Sequence, residues 1–254
     1  MPMPLPALAK RVIRLKTVGS TMDVARSLAE LGWPEGTVVV AEEQTVGRGR
    51  LGRPWASPRG GLWFSLLLRP SLKGELLSLL PIAVALAVAR ALKALFGIKA
   101  GLKWPNDVLI RGKKVCGVLV ESSSCGHEVS YAIVGVGINA NFGLEELPED
   151  LRGSATTLRE ELGRDVDLEE LLMAVLRELQ ELYRVLKEGS SEGVLREAER
   201  LMGFPRGLRV LVGRDVLSGT AIGLADDGSL LLRLPDGRVE RVHWASATVL
   251  ADQA

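Results

Sequence analysis

Three strand-forming stretches, Ile98–Trp104, Lys114–Glu121 and Val129–Ile138, follow one another with no space for a helix between them. A parallel crossover takes roughly a dozen residues or more, usually as a helix, so connections this short predict antiparallel pairing. The turn Arg111-Gly112-Lys113 separates the first two. Helical signals flank this block. Ser20 is an N-cap candidate for a helix from Thr21, with Asp23 in the first turn, Val24, Leu28 and Leu31 on one face, and Gly32 and Pro34 as the stop. Thr37–Ala41 and Leu62–Arg69 read as strands, and Pro81–Phe96 reads as an apolar helix opened by its proline. Leu168, Leu171, Leu172, Val175, Leu179 and Leu182 form the stripe of a long amphipathic helix over Asp167–Lys187, and a second helix covers Glu192–Met202.

Composition changes around Gly203. Four short strands, Leu208–Val212, Val216–Ile222, Ser229–Leu234 and Arg238–Trp244, are punctuated by Asp226-Asp227-Gly228 and Asp236-Gly237, which predicts a small barrel-like β domain. The expected division is residues 1–203 and 204–254, within the ~100–200 residues usual for a domain on the larger side. No internal repeat or low-complexity segment is visible.

Several classes of protein are disfavoured. Apolar residues at 47% and charged residues at 25% exclude wholesale disorder. A net charge of +1 argues against a generic nucleic-acid binder, though not against a local basic patch. Cys116 and Cys125 are too few for a disulfide scaffold and do not match a zinc spacing, and only His127 and His243 could add ligands. The uncharged stretch Leu76–Ala89 falls short of the ~20 residues of a membrane span. The N-terminus has prolines where a secretory signal needs an apolar run. A cytoplasmic protein with no membrane attachment is expected. The 19 residues before Ser20 are too few for a helix-turn-helix, so no DNA binding is expected.

The strongest chemical signal is Gly47-Arg48-Gly49-Arg50-Leu51-Gly52-Arg53-Pro54-Trp55. It contains G-x-G-x-x-G, but Pro54 and Pro58 obstruct the helix a dinucleotide fold needs, and no acidic residue appears from Gly47 until Glu75. Arg48, Arg50, Arg53 and Arg59 instead make an anion clamp, because guanidinium forks match phosphate and carboxylate oxygens. The glycines permit close backbone approach, and Trp55 can stack on a base or wall a pocket. Lys103-Trp104-Pro105-Asn106-Asp107 offers a cation at a strand end, or is simply a turn. Gly135-Val136-Gly137-Ile138-Asn139 suggests close ligand approach beside an amide that donates and accepts, or a plain strand end. Ser20-Thr21 and Gln44 can bond a polar ligand head, or serve only as a cap.

In this order these motifs, with Lys114–Glu121, resemble biotin protein ligases, and the resemblance runs from about residue 12 to the end. It implies an α+β fold: a class II synthetase-like mixed, largely antiparallel sheet flanked by helices, then a Src-homology-3-like barrel. It implies ATP-dependent formation of biotinyl-5′-adenylate with Mg²⁺, then transfer to a lysine of a biotin carboxyl carrier protein. By the same resemblance Ser20, Thr21, Gln44, Gly47, Arg48, Gly49, Arg50, Lys103 and Gly117 would bind biotin. Arg48, Arg50, Arg53, Trp55, Lys103, Asn106 and Asn139 would bind ATP, and Lys103, Arg48 and Arg50 would be catalytic. The metal ligands are not assigned. Cys116 reads as packing, and neither histidine is expected to act as a base. A homodimer through a strand edge is the assembly considered. The runners-up are a lipoate ligase of the same fold and a nucleic-acid-binding module using Trp55 as a stacking platform.

Overall fold

The computed structural model describes residues 5–70, 77–125, 128–204 and 207–250. Leu76, His127 and the first four residues, which the sequence expectations used, lie outside them. Two sheets organise the chain. The larger contains β1 (Arg11–Val18), β2 (Thr37–Gln44), β3 (Leu62–Leu68), β4 (Gly101–Lys103), β5 (Asp107–Ile110), β6 (Lys113–Cys125) and β7 (Glu128–Ile138), in the order β1-β2-β3-β7-β6-β5-β4. β1 and β2 are parallel and every other neighbouring pair is antiparallel, so the sheet is mixed. The helices are α1 (Thr21–Glu30), α2 (Leu80–Phe96), α3 (Glu149–Arg152), α4 (Leu158–Leu162), α5 (Leu168–Lys187) and α6 (Glu192–Met202).

Strand alternation sends Phe64, Leu66 and Leu68 of β3, Val134, Val136 and Ile138 of β7, and Val118 and Val120 of β6 into one core with α2 and α5. Cys116 is buried there too, as packing requires. Pro81 sits in the first turn of α2, and Gly97 ends the helix at φ 68°, a conformation that costs other residues energy. Every α2 residue from Leu80 to Leu92 except Arg90 is buried, so this helix is held by packing, at about 1.5–3 kcal/mol for each large apolar side chain. On the other face α1 lays Met22, Ala25 and Ala29 on Val39, Leu67 and Ile133. Farther along that face Trp55 and Leu144 pack with Trp63, Phe142, Leu147 and Ala155. The space between these two small clusters holds the site described below.

Three strands escaped the sequence expectations: β1, β5 and a short last strand, Ala247–Val249. β1 carries exposed charges because it is a sheet edge, where charge discourages further pairing, and Val12-Ile13 and Lys16-Thr17 break its alternation. The stretch predicted as one strand, Ile98–Trp104, shrinks to β4, and β5 follows after the break at Pro105-Asn106.

The smaller sheet contains β8 (Leu208–Val212), β9 (Asp215–Leu224), β10 (Leu230–Arg233), β11 (Val239–Val242) and β12 (Ala247–Val249), in the order β11-β10-β9-β8-β12. Neighbours are antiparallel, but among the described residues the terminal strands β11 and β12 do not pair, so the expected barrel is an open sheet. This sheet is tied to the larger one through side chains. Trp104 Nε1 donates to the Gly228 carbonyl at 2.9 Å, and the Leu224 N–H donates to Glu199 of α6 at 2.6 Å. Among the described residues, no helix is long and apolar enough to cross a membrane.

Candidate active site

The α1-facing side of the large sheet is interrupted by glycine. Gly117 of β6 pairs directly with Gly137 of β7, and Gly135 lies two residues along β7, opposite Leu119. A Cβ on Gly137 would lie 2.5 Å from Trp55 Nε1, one on Gly117 2.9 Å from the Trp55 ring, and one on Gly135 2.7 Å from Met22 Sδ. Trp55 and Met22 therefore rest directly on backbone, and a cavity opens among them. Trp55 stands edge-on against Trp63, centroids 6.5 Å apart, and its Nε1 is buried with no hydrogen-bond partner.

One end of the cavity is polar. The Ser20 hydroxyl caps α1 by accepting from the Met22 N–H at 3.3 Å. The Thr21 N–H and hydroxyl both donate to Gln44 Oε1, at 2.8 and 3.0 Å, and the Thr21 hydroxyl also meets Ser65 Oγ at 2.8 Å. Gln44 Nε2 donates to Ser57 Oγ at 2.9 Å. Gly47 closes this corner because a Cβ there would lie 2.3 Å from the Trp55 carbonyl oxygen.

The opposite end, on β5 and β6, is ionic. Lys114 Nζ is 2.7 Å from Asp107 and lies 5.0 Å from the centroid of the Trp55 ring. Lys103 belongs to β4, the sheet edge one strand beyond β5, and is not among the cavity residues. Lys114, to which the sequence expectations gave no role, borders the cavity, and Lys103 does not. The sequence contained that signal, since Lys114 opens the apolar strand that turns back on Asp107 through Arg111-Gly112-Lys113.

The loop arginines divide in an unexpected way. Arg48 lines the cavity and is clasped by Asp23, Nη2 to Oδ1 at 2.5 Å and Nη1 to Oδ2 at 2.8 Å. This hydrogen bonding holds the Asp23 carboxyl below its usual range and raises the Arg48 guanidinium. Arg50 is 7% exposed. Its Nη1 donates to Asn106 Oδ1 at 3.2 Å, and its Nη2 donates to the carbonyls of Ala247, at 2.8 Å, and Trp244. Burial lowers its pKa. Arg50 thus ties the loop to the small sheet as a strut and also borders the cavity. Arg53 and Gly49 also border the cavity. Arg59 instead pairs on the surface with Glu43 and Glu42, at 3.4 and 3.8 Å.

Both asparagines singled out by sequence border the cavity. Asn106 Nδ2 donates to the Val118 carbonyl at 2.6 Å, and Asn139 Nδ2 donates to the Thr156 carbonyl at 3.1 Å. Their amides shape the wall as well as face it.

Comparison with known proteins assigns this arrangement to a family. Residues 15–139 match the biotin/lipoate A/B protein ligase family, and residues 207–250 match the biotin protein ligase C-terminal domain. A biotin–[acetyl-CoA-carboxylase] ligase of Paracoccus denitrificans is 36% identical over 233 residues, covering 87% of this chain and 92% of that protein. The chain belongs to the biotin protein ligase family. A bifunctional ligase/repressor of Bacillus spizizenii is 34% identical over 240 residues, covering 94% of this ligase chain and 74% of the relative. The structure of the Aquifex aeolicus biotin protein ligase in complex with biotin and ATP superimposes with a TM-score of 0.84 at 38% identity, covering 96% of this chain and all of that one. Of the residues expected to bind biotin, Ser20, Thr21, Gln44, Arg48, Gly49, Arg50 and Gly117 border one cavity, with Lys114 beside them and Lys103 outside it.

Proposed function

We propose that the chain joins biotin to ATP and passes the biotinyl group to a lysine of a biotin carboxyl carrier protein. The observation that carries this reading is the order of groups across one sheet face. A hydrogen-bonding pocket at Thr21, Gln44 and Ser65 suits a ureido head, a glycine-floored slot between Met22 and Trp55 suits a thin apolar body, and Lys114 suits a carboxylate. The division into a catalytic unit, residues 1–203, and a smaller unit, residues 204–254, belongs to the same reading, as does a cytoplasmic location beside the carboxylase.

In the first step a biotin carboxylate oxygen attacks the α-phosphorus of ATP, and pyrophosphate leaves. Two anions must meet, so the barrier falls when fixed cations face the charge that develops. Lys114 Nζ supplies one beside the carboxylate position, and the loop arginines Arg48 and Arg53 supply others along the phosphates. Asp107 anchors the Lys114 ammonium at 2.7 Å and so limits its wandering. No covalent enzyme intermediate is required. In the second step the acceptor amine attacks the mixed anhydride carbonyl, and AMP leaves. Gly47, Trp55 and the loop around them shield the anhydride from water.

Magnesium enters this scheme as part of the substrate. Among the described residues no group of three acidic, histidine or cysteine side chains is placed to hold a metal ion, and the one carboxylate bordering the cavity, Asp107, is paired with Lys114. Mg²⁺ commonly keeps its waters and takes most remaining ligands from nucleotide phosphates, so this donor set suits Mg·ATP.

The test is exchange of labelled pyrophosphate into ATP. Biotin should support exchange, while lipoate and octanoate should not. Exchange with lipoate alone would move the chain to the lipoate branch, and absence of exchange with every acid would overturn the adenylating reading.

A further inference from the structure

Arg48 forms part of the cavity wall, but the residue that grips it does not. Asp23, in the first turn of α1, takes one N–H from each terminal nitrogen of the guanidinium in a fork-to-fork pair. A guanidinium carries five N–H groups, so three are left for a ligand. Asp23 is itself held. Arg26, three residues along the helix, lies 3.3 Å from Asp23 Oδ1 and bonds Glu121 of β6 with its other terminal nitrogen. A chain of alternating charge, Glu121–Arg26–Asp23–Arg48, therefore runs from the sheet over α1 to the glycine-rich loop. The loop needs such an anchor, since Gly47 and Gly49 flank Arg48 and glycine backbone carries the largest conformational entropy.

We infer that Asp23 is a positioning residue: by clasping Arg48 it holds the remaining guanidinium N–H groups against an adenylate phosphate and so sets how long the adenylate stays bound. The inference rests on the biotin-adenylating reading above and adds a residue from α1 that lies outside the cavity wall.

The experiment forms biotinyl adenylate on the enzyme from biotin and Mg·ATP with pyrophosphatase, then follows its dissociation. Loss of a charge-assisted clasp worth about 1.4 kcal/mol corresponds to roughly tenfold, so Asp23→Asn should release adenylate about tenfold faster. Asp23→Glu keeps the charge but alters the fork, and should fall between Asn and wild type. Asp23→Asn combined with Arg48→Ala should release no faster than Arg48→Ala alone, because the aspartate acts only through the arginine. Thermal unfolding of each variant separates loss of retention from loss of fold, and Asp23→Glu stands in if Asp23→Asn does not fold. Dissociation from Asp23→Asn at the wild-type rate or slower, or effects that multiply in the double variant, would overturn the inference while leaving the functional reading intact. Failure of the wild type to form adenylate at all would instead remove the functional reading, and this inference with it.

Discussion

The two faces of the seven-stranded sheet are made by the same strands and do opposite things. On the face under α2 and α5, β3, β6 and β7 present Phe64, Leu66, Val118, Val120, Val134 and Val136, all buried. On the opposite face, one residue out of phase, they present Trp63, Ser65, Gly117, Gly135 and Gly137. A solid face stores stability. A face emptied of side chains leaves backbone for a ligand to lie on, and the helix and loop at its two ends supply the polar contacts. The site is placed by where the sheet lacks side chains as much as by the groups that surround it.

Matched substitutions on the two faces should give the sharpest contrast. Gly137→Val would drive a side chain into the space of Trp55 and the slot. Overpacking of up to about 3 kcal/mol corresponds to a loss of biotin affinity on the order of 10²-fold, measurable by calorimetry. Leu66→Ala, on the solid face, should cost about 2–5 kcal/mol in denaturant unfolding and leave biotin affinity of the folded protein unchanged. Tight biotin binding by Gly137→Val would break the comparison, because the floor would then not be where the ligand lies.

A second contrast sets the two lysines against each other. Removing a stabiliser of developing charge typically costs about 10²–10³ in rate, so Lys114→Met should slow single-turnover adenylate formation by that factor. Lys103→Met, one strand beyond the cavity, should react at nearly the wild-type rate. The reverse order would restore Lys103 to the reacting centre.

This pair also shows how much of the site was legible in the sequence. The motifs located the loop, the strand ends and the helix cap, because glycine, arginine and capping residues carry their meaning locally. They did not decide which lysine borders the cavity, since that depends on a strand pairing: β5 against β6 brings Lys114 to Asp107, whereas β4 sits farther out. The tertiary partners of Arg50 were illegible for the same reason. Its partners, Trp244 and Ala247, lie almost two hundred residues along the chain, in a single 3-10 turn and a last strand of only three residues. The hydrophobic helices were legible because periodicity is local, and the edge strand β1 was not, because Val12-Ile13 and Lys16-Thr17 break its alternation.

Arg50 offers a test of smaller size. Arg50→Ala would strip the charged donor from two carbonyls and from Asn106 Oδ1. Leaving buried polar groups without partners costs about 1–3 kcal/mol, so the variant should unfold at correspondingly lower denaturant concentration. An unchanged midpoint would mean that the strut contributes no stability.

The smallest effect expected is on the solid face itself, at the ion pair that links its helices. Arg90 of α2 bonds Glu197 of α6 through Nε, at 3.0 Å, and through Nη2, and lies 3.6 Å from Glu178 of α5. The Arg90 hydrogen bond is the main reason that the Glu197 carboxyl is held below its usual value of 4.5. A carboxylate with a depressed folded-state pKa contributes its stability above the unfolded value and loses it as pH falls through the folded one. Both side chains are about one-third exposed, at 33% and 31%, so solvent screening limits the pair to about 0.2–1 kcal/mol. Wild type should therefore exceed Glu197→Gln in stability by that amount near neutral pH, and the two unfolding curves should converge as pH drops from about 6 to about 3. A difference that stayed constant over this range would show that Glu197 acts by shape and neutral hydrogen bonding. The solid face would then owe its cohesion to apolar packing alone, and its contrast with the glycine face would be sharper still.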